Sequence, residues 1–138
     1  PVIHLHESRS ANNLMDAQLL DTGLYTPTLD NTTNVDASTP AEMLWFRIGN
    51  MVHVAGSFTI DPTLGVGTAT TLGMTIPLPS NFGIGTDAAG LVSAGGLVPS
   101  ESGVVFADAA NDRVTINFGS MSAASHVMRV VFTYRLIQ

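Results

Sequence analysis

His4 and His6, two residues apart in the opening PVIHLHESRS, carry the sharpest local chemical signal. On an extended strand residues i and i+2 point to one face, so both imidazoles project together. In a parallel trimer with that face toward the axis, three copies would bring six ring nitrogens to one point. That octahedral set suits Fe2+, Ni2+ or a similar ion. One transition-metal ion per trimer is the single cofactor candidate, set against a plainer reading: two solvent-facing histidines in an N-terminal arm. His53 and His126 stand alone in sequence and read as strand-surface residues at a sheet or subunit contact.

Carboxylate pairs can be drawn at Asp108 with Asp112 and at Asp30 with Asp36. Acid/base hydrolysis needs two carboxylates on opposite sides of a bond with separated pKa values. Both pairs fall in polar stretches where Asp is used to cap backbone. The chain has no G-x-S-x-G elbow, and Gly119-Ser120 has no base nearby in sequence. With no Cys, thiol catalysis, disulfides and thiolate metal clusters are excluded. Asp16, Asp21, Asp61 and Asp87 lack the alternating spacing of a calcium loop. Gly65-Val66-Gly67 and Gly83-Ile84-Gly85 lack the Lys of a phosphate cradle and read as turns. The expectation is a protein that is not an enzyme.

Among aromatics, Trp45 and Phe46 are adjacent, so in a strand they face opposite ways. Phe46 shares its phase with Leu44 and Ile48 and is expected in the core. Trp45, with Met43, is then expected on an outer face, as a subunit interface first and a ligand platform second.

Composition narrows the partners. The 138 residues suit one domain, or one domain with an appendage. Five basic residues, all Arg and scattered singly, against eleven acidic ones give a net charge of −6. A nucleic-acid binder needs a basic face, so nucleic acid and anionic membrane are poor partners. No run of about 18 apolar residues spans a bilayer. Charged residues are 12% of the chain, against about 25% in ordinary globular domains. That leaves too few charges to cover the surface and points to burial against other copies of the chain. A neutral, Thr/Ser-rich extracellular-type surface is the alternative.

The elements that position these residues are almost all strands. Residues 1–22 form an arm: an extended opening, then a short helix capped at Asn12 or Asn13 with apolar Leu14, Met15, Leu19 and Leu20. From Gly23 onward no helical period is sustained. Strands are expected at 25–29, 43–48, 51–60, 72–78, 103–107, 113–118 and 126–137, with a weak candidate in 88–98. Residues 30–40 and 64–71 read as loops, and Gly49-Asn50 as a two-residue hairpin turn. In 51–60, Val52, Val54, Gly56, Phe58 and Ile60 share one face. The closing strand is the most regular and is expected to be central or well paired. About eight strands at this spacing, without interleaved helices, argue for a sandwich or barrel.

Five short motifs occur in order: Gly23-Leu24-Tyr25-Thr26-Pro27-Thr28-Leu29; the hairpin Phe46 to Gly56 with Arg47, Gly49, Asn50, Val52 and Val54; Thr71-Leu72-Gly73 with Pro77-Leu78-Pro79-Ser80-Asn81-Phe82; Ala107 to Arg113; and Phe132-Thr133-Tyr134. From Gly23 to Gln138 the chain thus resembles a module found at the C-termini of phage tail or head fibre proteins and of related fibre-like proteins encoded by bacteria. The resemblance implies a jelly-roll-like antiparallel β-sandwich, assembled as a homotrimer at a fibre tip. It further implies binding to a cell-surface glycan or outer-membrane molecule through divergent loops.

Together these readings predict an all-β fold with an arm at 1–22 joining a fibre shaft and a β-sandwich tip at 23–138. The expected role is a receptor-binding fibre tip on a virion or a cell-surface fibre, touching a host or prey glycan or protein. A purely structural module that caps or decorates a fibre or capsid is the alternative. A trimeric glycan-processing enzyme is a third, weaker reading. Recognition is expected in the polar stretches 30–40, 61–71 and 82–98.

Overall fold

Met43 to Ile48 and Met51 to Pro62 are joined by only Gly49-Asn50, which fixes their register: Ile48 pairs Met51, Arg47 pairs Val52, and Trp45 pairs Val54. Gly49 has φ +59 and Asn50 stays outside that region, the pattern of a hairpin turn with Gly at its first central position. Around this hairpin the computed structural model, which describes residues 20–95 and 101–138, is built almost wholly of antiparallel strands.

Ten are described: β1 (Leu20–Tyr25), β2 (Leu29–Thr33), β3 (Val35–Pro40), β4 (Met43–Ile48), β5 (Met51–Pro62), β6 (Thr68–Met74), β7 (Ala88–Ala94), β8 (Ser102–Asp108), β9 (Arg113–Ser120) and β10 (His126–Arg135). They form one curled sheet in the order β1-β4-β5-β10-β7-β8-β9-β6-β2, with β3 beside β5. The long β5 pairs β4 through Ala55 and β3 from Phe58 onward. Asn34 alone joins β2 to β3, so the chain itself ties one end of the sheet back to β5. The expected all-β antiparallel architecture is present, and β10 is central, between β5 and β7.

One face of the curl is the core. Val52, Val54, Phe58, Ile60, Leu72, Met74, Ile116, Met128, Val130 and Tyr134 are buried there at alternate strand positions. Tyr134 also pins the connection after β6: its hydroxyl donates to the Leu78 carbonyl (2.8 Å) and accepts from the Leu78 N–H (3.0 Å). Ser80 Oγ donates to the Arg135 carbonyl and accepts from the Ile137 N–H, both at 2.8 Å. The Pro77-to-Phe82 and Phe132-to-Tyr134 motifs therefore meet as one structural lock.

Several expectations are corrected. Residues 30–40 are not a loop but β2 and β3, because their polar side chains occupy the solvent side of a sheet rim while backbone pairing to β6 and β5 is retained. The expected strand at 25–29 is instead a break: β1 ends at Tyr25, Pro27 is buried, and β2 starts at Leu29, as the missing Pro N–H requires. β6 begins at Thr68 rather than Leu72, and β7 is a full strand. Leu20, Asp21 and Thr22, assigned to the arm by sequence, belong to β1. The rest of the arm, with the expected helix, lies outside the described residues.

The faces of β4 are reversed from expectation. Met43 and Trp45 are 1% and 8% exposed, while Leu44, Phe46 and Ile48 are 54%, 41% and 57% exposed. In the subunit Trp45 and Met43 therefore lie on the core face, not on the outer face expected for an interface or ligand platform. Space explains the choice. The indole lies over Gly23, its cross-strand partner, where an added Cβ would sit 2.9 Å from ring atoms. Met43 fills the place of a side chain at Gly56, where a Cβ would come within 2.4 Å of its Cγ.

Candidate functional site

The second face of the sheet, directed to solvent, is divided in two. Cross-strand partners share a face, so the registers can be read as rows. One row runs Leu24, Leu44, Ala55, Val131, Leu91 and Val104 across β1, β4, β5, β10, β7 and β8, then changes to Asn117, Thr71 and Thr33 on β9, β6 and β2. The neighbouring row runs Thr22, Phe46, His53, Thr133, Ala89 and Phe106, then Thr115, Gly73 and Asp30. Leu24, Leu91, Val104 and Val131 are 62%, 64%, 48% and 44% exposed. Half of the outer surface is thus apolar and uncovered, and half is Thr, Asn and Asp. A sequence signal existed: β4, β8 and β10 carry large apolar residues in both phases, which is the mark of strands covered on both sides.

A groove of about 600 Å³ opens in the apolar half, lined by Glu42, Ala55, Gly56, Ser57, Leu91, Ser93, Arg129 and Val131 among others. Its origin is topological. β4 leaves β5 after Ala55 and β3 arrives at Phe58, so Gly56 and Ser57 have no ladder partner on that side.

The two ends of the strands also differ. The chain enters the sheet at Leu20, beside Ile48 and Met51, the same end as Arg135. Residues 63–67 and 121–125 lie at the opposite end, where Gly65 packs on Met121 and Ser122. Leu64, Val66 and Met121 are exposed there, and Val66 takes φ +61, a left-handed conformation that a β-branched residue rarely adopts.

His4 and His6 lie outside the described residues. Among the described residues no three His, Asp or Glu side chains gather to hold a metal ion. His53 is half-buried in the outer face, with Nδ1 3.0 Å from Thr133 Oγ1 and its ring 5.1 Å from that of Phe46. His126 is not an isolated surface residue. Its Nε2 faces Glu101 Oε1 at 2.5 Å, its Nδ1 faces the Ala124 carbonyl at 2.7 Å, and Glu101 Oε2 accepts from the Met121 N–H. Sequence reasoning missed this pair because its members are 25 residues apart, Glu101 just before β8 and His126 at the start of β10. Both ring nitrogens thus lie within hydrogen-bond distance of an oxygen. The Ser120 hydroxyl donates to the Ser122 carbonyl.

The carboxylates drawn as pairs are each engaged with backbone, Arg or a neighbouring polar side chain. Asp108 accepts from Arg113 Nε (3.0 Å), Asn111 Nδ2 and the Ala110 N–H, and its pKa is held below the ordinary carboxylate value by Asn111 first and then by Arg113. Asp30 accepts from Arg113 Nη1 at 2.7 Å, Asp112 caps the Phe82 N–H, and Asp36 accepts from Thr63. Arg113 so ties β2 to the β8–β9 turn. Asp87 accepts from the N–H groups of Ile84 and Gly83, which lower its pKa, and also faces Arg135 at 3.2 Å.

Comparison with protein-family models and with curated proteins returns no match for this chain.

Proposed function

We propose that this chain is a receptor-binding tip domain of a homotrimeric fibre, docking on a cell-surface glycan or outer-membrane molecule. The observation that carries the reading is the divided outer surface. A lone subunit would leave the Leu24-to-Val104 row in water, at a cost that scales with apolar area, and companion copies remove it. The polar half and the loops at 63–67 and 121–125 stay free for recognition. These loops lie at the strand ends remote from Leu20, as a tip fed from an N-terminal shaft requires. Three linked copies would let weak single sites hold a cell by raising effective concentration.

The test is binding of labelled protein to a panel of bacterial cells and glycans, with mass measured by light scattering. Assembled protein whose cell binding is lost on Val66→Asp supports the reading. Assembled protein that binds nothing on a broad panel replaces it with a capping or decorating module. A monomer that binds nothing refutes both.

A further inference from the structure

We infer that the apolar outer face of β1, β4, β5, β10, β7 and β8 is the seam between copies of this chain, closed by Glu42 of one copy against Arg129 of the next. The inference rests on the oligomeric reading above and names the surface that assembles.

Three observations converge on a second copy as the occupant. The first is extent. Six strands at about 4.8 Å spacing make a face roughly 24 Å wide, and β5 from Met51 to Ser57 runs it for roughly 20 Å, about 500 Å² in projection. That is at the upper end of what monomers leave open, and the standing side chains carry the accessible area toward the about 800 Å² each partner contributes to a standard interface.

The second is charge. A chain of net charge −6 repels itself unless the meeting surfaces keep acid few and matched by a cation. In the two apolar rows no residue from β1 to β8 is acidic, whereas Asp30 and Asp108 lie on β2 and at the end of β8, with Asp112 in the following turn. Foreign partners would be selected by some charge pattern; this face offers almost none.

The third is self-complementarity. The groove at Gly56 and Ser57 carries one anion, Glu42, and one cation, Arg129. Neither makes an ion pair within the chain among the described residues. In a closed ring of three copies the contact is heterologous, so Glu42 of each copy meets Arg129 of the next and the same two residues supply one pair at every seam. The apolar row around them excludes water and strengthens the pair.

The experiment measures the mass of the full chain by light scattering across a dilution series, with circular dichroism to confirm folding. Leu91→Glu puts a carboxylate at an exposed strand position in the middle of the seam. It is expected to weaken assembly by about 100-fold or more, because the charge would be buried unpaired. Leu91→Thr, a conservative β-former, serves if the Glu variant does not fold and should weaken assembly by about 10-fold. Glu42→Arg and Arg129→Glu should each weaken assembly, and the double reversal should restore it. An assembled chain indifferent to the Leu91 variants overturns this seam and leaves the fibre-tip reading standing. Single reversals that the double variant does not rescue overturn the Glu42–Arg129 contact. A wild-type chain that stays monomeric at high concentration overturns the seam and the trimer together.

Discussion

Trp45 is the sharpest place to test the register of β4, because the two faces of that strand exchange roles if it is wrong. With the indole 8% exposed against Gly23 and paired to buried Val54, Trp45→Ala removes a core aromatic and leaves a cavity no neighbour can fill. Such truncations cost about 3–5 kcal/mol, a large share of a total stability of about 5–15 kcal/mol. For a domain of this size that is a fall in Tm of roughly 10–20 °C. Phe46→Ala, one residue on and 41% exposed, should cost under about 1 kcal/mol in the isolated subunit. Unfolding in urea at one dilute protein concentration separates the two, since assembly would otherwise add to apparent stability. Trp45 is the single tryptophan in the chain, so its native emission should be blue-shifted and shielded from acrylamide. Refutation is equally concrete: an exposed, readily quenched indole, with Trp45→Ala sparing stability while Phe46→Ala collapses it, would turn β4 over and remove Phe46, Leu44 and Ile48 from the seam.

Three further outcomes are expected. Tyr134→Phe strips both hydroxyl bonds to Leu78 and should lower urea stability by about 1–3 kcal/mol. Because burial pushes the Tyr134 hydroxyl up to about 12, against about 10 in the unfolded chain, the wild type should lose stability as pH rises above about 10, and the Phe variant should show a shallower decline. At the acid end, Asp87 and Asp108 have lowered pKa values in the folded state. Their contribution is present above the unfolded carboxylate value and lost as pH falls below about 4; Asp108→Asn should flatten that limb in pH-dependent denaturation. Val66 at φ +61 carries a left-handed penalty of about 1–2 kcal/mol, so Val66→Gly should raise stability by about 0.5–1 kcal/mol after the entropy cost of Gly. A lower Tm in that variant would show that the Val66 side chain makes contacts that outweigh its strain.

The amino-acid sequence by itself determined the strand class, the Gly49-Asn50 turn and the central place of 126–135. Period-two alternation and turn chemistry are local, and hydrophobic burial enforces them wherever the chain goes. It also contained the answer for Trp45. A two-residue turn pairs residue 48 with 51, hence 45 with 54, and Val54 shares its face with Val52, Phe58 and Ile60; the residue types around Phe46 pointed the other way, and the turn prevailed. Tertiary structure alone decided the rest. Residues 30–40 carry the polar composition of a loop and become β2 and β3 because the rims of a curled sheet need backbone partners more than apolar side chains. Glu101 meets His126, and Arg113 meets Asp30, across separations that no local pattern encodes. The divided outer face is only hinted at strand by strand, by the large apolar residues in both phases of β4, β8 and β10. Its rows exist only once the registers align six strands, since exposure belongs to the assembled surface and not to any residue.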